Sequence, residues 1–390
     1  MTYAVRGLGL VFSLVLVSTL AACSLTHLDS QAATASTTPS TAAYVYIQIQ
    51  GPEGSVYGFR ASPTGHLSPI HGSPFKPAGE IVGGTPTKFF TLGKDLIHSY
   101  GIASDGVIGS QLSQIPIYDY AGSRCGDPSY AEAQAVLDHT GKYIYVLLQY
   151  GYGGCGAYQS YAISSNGDFM FVGDTEMEGT DSEPNPTYLD LPSILGNERF
   201  GYADEWTGHD TGLVGFRRES SGTLQLMQFR EADPTLPGNF YHPANPDASP
   251  TGNYLVVQLY PDDGGDTGPL QFGSYTVDSD GSISTTNTSS NMPTSSLDFP
   301  ATTFSPSGDL FVAYQGEIDI YKFNGAAPLT LWRTLLSGNW VSQVAFDRSN
   351  HLYAISGDNK LYVFTVTSTS VTETSSINIG SPFKMVVVSE

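Results

Sequence analysis

One repeated pattern runs from Tyr44 to the C-terminus and limits what this chain can form. In each copy an aromatic residue opens a short strand, and about eight positions later an aliphatic residue usually opens the next strand. A polar turn lies between them, often with glycine at its sixth position. The seven aromatic residues, named the repeat aromatics below, are Phe59, Tyr100, Tyr161, Phe216, Tyr275, Tyr321 and Phe364. Every copy therefore predicts an antiparallel hairpin.

A second recurrent turn stands before the repeat aromatics and adds another pair of strands to each unit. It is found at Asp138–Tyr143, Ser249–Tyr254, Ser305–Leu310 and Asp347–Leu352, and each instance leads into an apolar strand. Each unit thus reads as four short strands. The repeat aromatics are 41 to 61 residues apart, and the chain has 43 glycines, 24 prolines and 24 tyrosines, which favour turns and strands. Together these features predict an all-β, seven-bladed β-propeller.

The two ends of the repeat region match each other. Gly72–Lys76 recurs as Gly380–Lys384, and the second copy is followed by the apolar strand Met385–Val388. The first unit starts at Tyr44 and lacks such a strand. We therefore expect the C-terminal strand to complete the N-terminal blade, which hides the sheet edges that an open array exposes.

The tyrosine- and valine-rich strands, the Asp/Ser-x-x-Gly turns and the Gly-Ser-Pro-Phe segments resemble the YVTN and 6-phosphogluconolactonase-like class of seven-bladed propellers. The resemblance covers residues 44–390 and implies a lactone hydrolase. Cyclases of this class use His, Arg and Glu around a central funnel, and no motif maps those positions onto this chain. His66, His139 and His351 are interpreted as turn residues.

The first 43 residues are interpreted as an export signal and a tether. Residues 1–22 have one positive charge, Arg6, before an apolar run that ends in small residues. Leu20-Ala21-Ala22-Cys23 resembles the lipobox of bacterial lipoproteins, which implies lipidation of Cys23 and, with Ser24 following, the outer membrane; an ordinary secretory signal is the alternative. Residues 23–43 are a Ser/Thr/Ala-rich linker, and 44–390 are the propeller domain.

The charge of the chain restricts its partners. With 16 Lys and Arg against 37 Asp and Glu, the formal net charge is −21. Nucleic acid is excluded as an expected partner, because phosphate backbones are bound by clustered basic residues. A phosphorylated lactone also calls for such a cluster, and the only adjacent basic pair is Arg217-Arg218. We expect a monomer that contacts the membrane only through its lipid.

Cys125 and Cys155 are the only cysteines besides Cys23. Cys125 is placed in the connection into the third unit and Cys155 in the loop between that unit's second and third strands. Both positions belong to one face of a propeller, and an exported protein is in an oxidising compartment. A disulfide is predicted, with two free thiols as the alternative.

The segment Asp204–Asp210 is the main candidate for chemistry. Glu205, His209 and Asp210 are the candidate catalytic residues, because they offer acid and base groups. Trp206 and Asp204 are the candidate ligand-binding residues. The alternative is a solvated acidic loop.

Asp262, Asp263 and Asp266 form an acidic, glycine-containing loop that suits Ca²⁺. It lacks EF-hand spacing, so a plain hairpin loop is the alternative. Ca²⁺ is the only cofactor for which ligands can be named.

Two functions remain open at this stage. The first is a module that binds a small molecule, glycan or protein on the loop-rich face at the cell envelope. The second is a lactonase-like hydrolase acting on a sugar or other lactone.

Overall fold

In the computed structural model, the described residues are 41–49, 54–118, 130–150, 155–178, 188–207, 210–231, 240–262, 269–298 and 300–390. These ranges contain strands and no helix, and so no helix among them that could cross a membrane. The first strands are β1 (Ala43–Ile49), β2 (Val56–Ala61), β3 (Leu67–Pro69), β4 (Glu80–Thr85), β5 (Lys88–Leu92), β6 (Leu96–Ile102) and β7 (Ile108–Pro116).

The middle of the chain forms β8 (Tyr130–Leu137), β9 (Tyr143–Tyr150), β10 (Cys155–Ile163), β11 (Phe169–Glu178), β12 (Tyr188–Leu189), β13 (Ser193–Ile194), β14 (Phe200–Thr207), β15 (Asp210–Arg218), β16 (Leu224–Glu231), β17 (Phe240–Ala248), β18 (Tyr254–Asp262), β19 (Gln271–Val277) and β20 (Ile283–Ser284). The last strands are β21 (Ala301–Phe304), β22 (Leu310–Tyr314), β23 (Ile318–Lys322), β24 (Thr330–Leu335), β25 (Val341–Phe346), β26 (His351–Ser356), β27 (Lys360–Val366), β28 (Val371–Asn378) and β29 (Pro382–Ser389).

These strands pair into seven antiparallel sheets, which form the blades of a seven-bladed β-propeller, as predicted. From the innermost strand outward, blade one is β29-β1-β2-β3, blade two β4 to β7, blade three β8 to β11, blade five β17 to β20, blade six β21 to β24 and blade seven β25 to β28. Blade four has its innermost position divided between two short strands, β12 and β13, which both pair with β14. The innermost strands surround the central channel.

The ring closes as the matching ends predict. The C-terminal strand β29 pairs antiparallel with β1, so that Val388 lies opposite Tyr44 and Val386 opposite Tyr46. Val388 and Tyr44 are both buried and pack in the same hydrophobic cluster. The innermost strand of the first blade is therefore contributed by the end of the chain.

The repeat aromatics occupy one position in the fold, the third strand of each blade, and all seven are buried. They pack between neighbouring blades. Phe216 of blade four, for example, meets Tyr158 of blade three edge-on, with ring centroids 5.1 Å apart. The repeat in the sequence is thus the repeat of the inter-blade core.

The recurrent acidic or serine turn joins the first and second strands of a blade. In blade three the Asp138 carboxylate accepts hydrogen bonds from the backbone N–H groups of Lys142 and Tyr143, at 2.9 and 3.0 Å. Arg218 also reaches this carboxylate, at 3.0 Å, and pairs with Glu198. Arg218 is therefore committed to contacts between blades three and four.

The interpretation of His351 as a turn residue was wrong. His351 is the first residue of β26, and only 1% of its surface is exposed. Its Nδ1 lies 2.7 Å from Oδ2 of Asp347, and the Tyr353 hydroxyl donates to the same oxygen. His351 follows Asp347 by four residues, and the carboxylate of Asp347 is the hydrogen-bond partner of the buried imidazole. His351 is therefore a buried structural residue.

Candidate functional site

The innermost strands of the neighbouring blades four and five are both irregular. In blade four β12 ends at Leu189 and β13 begins at Ser193, so Asp190 lies in the break. In blade five the pairing of β17 with β18 shifts between Ala244 and Asp247, and Asn245 has a φ of +44°. Such bulges redirect side chains out of the regular alternation of a strand.

A cavity of about 310 Å³ lies at these two irregularities. Residues of blades three to six line it: Gln134, Asp190, Leu191, Asp204, Asn245, Pro246, Asp247, Ala301 and Thr302. Three of these residues are aspartates, and none of the described lining residues is Lys, Arg or His. The cavity is therefore acidic and polar.

Asp204 lies on β14, is half-buried, and carries one of two carboxyl groups of the cavity that have a fully buried oxygen. Burial, followed by the charge of Asp190 and a hydrogen bond with it, raises the pKa of Asp204 to about 7. A backbone hydrogen bond from Asn245 opposes this shift by a smaller amount. Oδ1 of Asp204 is buried and has no hydrogen-bond partner among the described residues.

Asp247 follows the bulge in β17, is also half-buried, and carries the second of these carboxyl groups. Burial raises its pKa to about 7, although hydrogen bonds with Ser193 and Thr302 act in the opposite direction. The Ser193 hydroxyl lies 3.5 Å from Oδ1 of Asp247. Oδ2 is buried and, within the described part of the chain, has no hydrogen-bond partner.

Uncharged polar groups surround the two carboxyl groups. The Tyr260 hydroxyl and Nδ2 of Asn245 both donate to Oε1 of Gln258, at 3.2 and 3.4 Å. Burial, with the charges of Asp298 and Asp204, raises the pKa of Tyr260. Burial, with the charge of Asp247, raises the pKa of Tyr314 to about 12. Both phenols are therefore neutral near pH 7 and stay available as hydrogen-bond donors.

A second cavity, of about 670 Å³, occupies the end of the channel at the turns between first and second strands. Asp247 lines both cavities, which places its carboxyl group between them. His139 and Arg348 lie among the turn residues of this end. His139 is half-exposed and stands 3.6 Å from Glu198, in agreement with its interpretation as a surface turn residue.

The arrangement of the smaller cavity suits two kinds of chemistry. Carboxyl groups whose pKa lies near 7 can exchange protons with a substrate at neutral pH. Buried carboxylate oxygens without donors can also accept hydrogen bonds from a ligand. Among the described residues, no group of three or more His, Cys, Asp or Glu side chains is arranged to hold a metal ion.

Of the predicted site segment, the structure places Asp204 in the channel and describes the others only in part. The segment is a hairpin: Glu205 and Trp206 lie in β14 beyond Asp204, and Asp210 begins β15. The side chains of Glu205, Trp206 and Asp210, and the whole of His209, lie outside the described residues. Asp204 itself is half-buried and its Oδ1 is fully buried, unlike a residue of a solvated loop.

The other predicted sites fall mostly on undescribed residues. Asp262 is the last residue of β18, whereas Asp263 and Asp266 lie outside the described ranges, so the Ca²⁺ site stays a prediction. Cys155 is the first residue of β10, the third strand of blade three, so its predicted place in the loop before that strand is wrong. Cys125 and Cys23 lie outside the described residues, and the disulfide and the lipidation also stay predictions.

Sequence reasoning missed Asp190 and Asp247. A local signal was present, because each aspartate stands within two positions of a proline, in Asp190-Leu191-Pro192 and Asn245-Pro246-Asp247. Proline inside a strand marks a bulge or an interruption. Nothing in the sequence showed that the two irregularities face the same cavity.

Comparisons with known proteins identify the fold. No family model matches the chain, and no curated protein matches its sequence. Among solved structures, it is similar to the periplasmic gluconolactonase PpgL of Pseudomonas aeruginosa, with a TM-score of 0.61 and 13% identity over 89% of this chain and 99% of that one. A putative 6-phosphogluconolactonase from Bacteroides fragilis gives a TM-score of 0.60 and 14% identity, over 90% and 99% of the two chains. At these identities the likeness establishes the shared propeller.

Proposed function

We propose that this protein is a lactone hydrolase whose reaction takes place in the acidic cavity between blades four and five. One observation carries the proposal: Asp204 and Asp247 place two half-buried carboxyl groups, each with a pKa of about 7, in one cavity of the channel. The two similar propellers named as a gluconolactonase and a putative 6-phosphogluconolactonase support lactones as the substrate class.

The two carboxyl groups have complementary roles in ring opening. Near pH 7 each group populates both its ionised and its protonated form, so one can act as a base while the other acts as an acid. The base takes a proton from water as the water oxygen bonds to the lactone carbonyl carbon. When the bond from that carbon to the ring oxygen breaks, the acid donates its proton to the departing oxygen. The product is a hydroxy acid.

The charge of the cavity indicates which lactones fit. A phosphorylated sugar lactone brings two negative charges, and no Lys, Arg or His is present among the described lining residues to pair with them. Arg218, one of the adjacent basic pair, is engaged with Asp138 and Glu198. An unphosphorylated lactone is therefore the proposed substrate.

The experiment compares glucono-δ-lactone with its 6-phosphate on residues 44–390, with acid release as the readout. We expect turnover of the neutral lactone well above the uncatalysed rate. Asp204→Asn and Asp247→Asn should each lower kcat/KM by about 10²–10⁴-fold, the usual contribution of a general acid or base. Asp309→Asn, an equal charge change on an exposed turn residue, is the matched control. Unchanged rates in both folded cavity variants contradict the proposal.

A second candidate function is a binding module without turnover. It is favoured by the lack of a cationic group among the described lining residues, since a cation would stabilise the oxyanion formed during lactone attack. If no lactone is hydrolysed while a ligand binds with an affinity that depends on Asp204 and Asp247, this second function replaces the first.

We further propose that the protein is exported and anchored by lipid on Cys23. The apolar run before Leu20-Ala21-Ala22-Cys23 supports this proposal, and the similar Pseudomonas propeller is named as periplasmic. Replacement of Cys23 by Ala should move the protein from the membrane fraction to the soluble fraction and abolish incorporation of labelled fatty acid. Membrane association that persists without lipid on this residue overturns the anchor.

A further inference from the structure

The acidic cavity has an excess of hydrogen-bond acceptors over donors. Oδ1 of Asp204 and Oδ2 of Asp247 are both buried, and neither has a partner among the described residues. A buried acceptor without a donor is destabilising, and native proteins normally provide one. In this cavity the missing donors are the ones that a ligand would bring.

The nearby donors of the protein are already committed. Nε2 of Gln258 donates to the carbonyl oxygen of Pro300 at 2.6 Å, and Nδ2 of Asn245 donates to Gln258. The hydroxyl of Thr302 is engaged with Asp247. Rearrangement of these side chains would satisfy one acceptor only by releasing another.

We propose that this cavity binds the protonated amine of a small polyhydroxylated ligand. An ammonium group brings three N–H donors and a positive charge, which matches the two unpartnered carboxyl oxygens and the charge of Asp190. The side-chain oxygens of Asn245 and Thr302, which also line the cavity, can accept hydrogen bonds from the hydroxyl groups of such a ligand. The inference uses the same cavity as the proposed function but does not depend on hydrolysis.

A volume of about 310 Å³ suits a ligand of this kind, because it lies at the small end of the range for small-molecule sites. A divalent metal ion is a poorer match. It needs several oxygen ligands on one point, and the described residues contain no group of three or more acidic, His or Cys side chains so arranged.

Binding of a cation here should release protons. The pKa of both Asp204 and Asp247 is about 7, so at about pH 6 these groups are mostly protonated, and a bound ammonium favours their ionised forms. The other titratable groups near them in the described structure are Asp190, Tyr260, Asp298 and Tyr314. The two tyrosines stay protonated throughout this range.

The test compares 1-amino-1-deoxysorbitol with sorbitol, which differ only by an amine in place of a hydroxyl. Calorimetry at about pH 6 should show the amine binding at least about tenfold more tightly, as expected for a charge-assisted hydrogen bond to a buried carboxylate. Titrations in two buffers of different ionisation enthalpy should show release of up to about two protons. The release should decrease at about pH 8, where both carboxyl groups are largely ionised.

Variants assign the preference to the cavity. Asp204→Asn and Asp247→Asn should each remove most of the preference for the amine, whereas Asp309→Asn should retain it. Equal affinities for the two polyols in the wild-type protein overturn the proposal, and this comparison needs no variant to fold. A preference that survives in both folded cavity variants also overturns it, as does displacement of the amine by stoichiometric Ca²⁺.

The outcome is separable from that of the proposed function, because neither polyol is a lactone. Selective amine binding without lactone turnover supports this inference and contradicts the hydrolase. Lactone turnover without amine selectivity supports the hydrolase and contradicts this inference.

Discussion

The hydroxyl of Tyr145 in blade three donates a hydrogen bond to the carbonyl oxygen of Gly222 in blade four, 3.1 Å away. The same relationship joins Tyr46 to Gly106 and Tyr202 to Gly281, each at 2.8 Å. In all three cases the tyrosine lies on the second strand of one blade and the glycine in the outer turn of the next. The repeated glycine turn thus serves as the acceptor for the neighbouring blade.

Removal of the Tyr145 hydroxyl tests this contact. Tyr145→Phe should lower the free energy of unfolding by about 1–3 kcal/mol, because it leaves a buried carbonyl without its donor. Gly222→Ala should be more damaging, since the added Cβ would lie 1.9 Å from a Tyr143 ring carbon at a φ of +98°. Chemical denaturation measures both. Gly380→Ala is the control, because Gly380 has a φ of +76° but a Cβ added there would meet no atom within 4 Å. Its effect therefore measures the backbone strain without the steric clash.

Arg218 should be more important for stability than its neighbour Arg217. Arg218 pairs with the fully buried Asp138, with Glu198, and with the face of the Tyr143 ring, 5.0 Å from its centroid. Arg218→Ala leaves the Asp138 carboxylate buried without its charge partner, which should cost about 3–5 kcal/mol. Arg217→Ala, on the exposed side of β15, should change stability by less than about 0.5 kcal/mol. Equal effects in thermal unfolding would refute the inter-blade role.

The cavity carboxyl groups should oppose folding at high pH. Burial raises the pKa of Asp247 from 3.8 to about 7. Protonation of this carboxyl group therefore stabilises the folded protein relative to the unfolded chain. This stabilisation is fully present below the unfolded pKa of about 4 and is lost as the pH rises through the folded pKa of about 7. Asp247→Asn should therefore raise the Tm at about pH 8 and leave it nearly unchanged at about pH 4. A Tm that falls equally at both pH values contradicts a buried, unpaired carboxyl group.

Asp347 should have the opposite dependence. Burial alone would raise its pKa, but hydrogen bonds from the His351 side chain and backbone and from the Tyr353 hydroxyl hold it below its usual value. The stabilisation is present above the unfolded pKa of about 4 and is lost as the pH falls through the folded pKa. Asp347→Asn should destabilise the protein near neutrality and much less in acid. Urea unfolding across that range measures the difference, and a pH-independent loss would exclude the carboxylate as its source.

The predicted bond between Cys125 and Cys155 has a chemical test. In protein produced with its export signal and isolated without reductant, alkylation should leave both thiols unmodified, and reduction should expose two. A loop of about 30 residues should then lose roughly 3–4 kcal/mol of stability on reduction. Cys125→Ser with Cys155→Ser is the control, because reductant should not change its stability. Two reactive thiols before reduction exclude the disulfide.

Particular residues show which parts of the site were predictable. Asp204 was selected from its acidic and aromatic neighbours, yet its pKa is raised by burial and by the charge of Asp190, 14 positions earlier. Asp247 is 43 positions later on another blade. His351 was misassigned because its partner, Asp347, belongs to a turn that resembles exposed turns elsewhere in the chain.

The sequence by itself determined the blade count, the strand order within blades and the closure of the ring. These features follow from short-range periodicity: a repeat aromatic is followed by a glycine turn and an aliphatic residue, and each unit must bury its aromatic against the next. Only the tertiary structure decided where the carboxyl groups meet and what their pKa values are. Burial and through-space charge act between residues on different blades, and local sequence pattern carries no record of those distances.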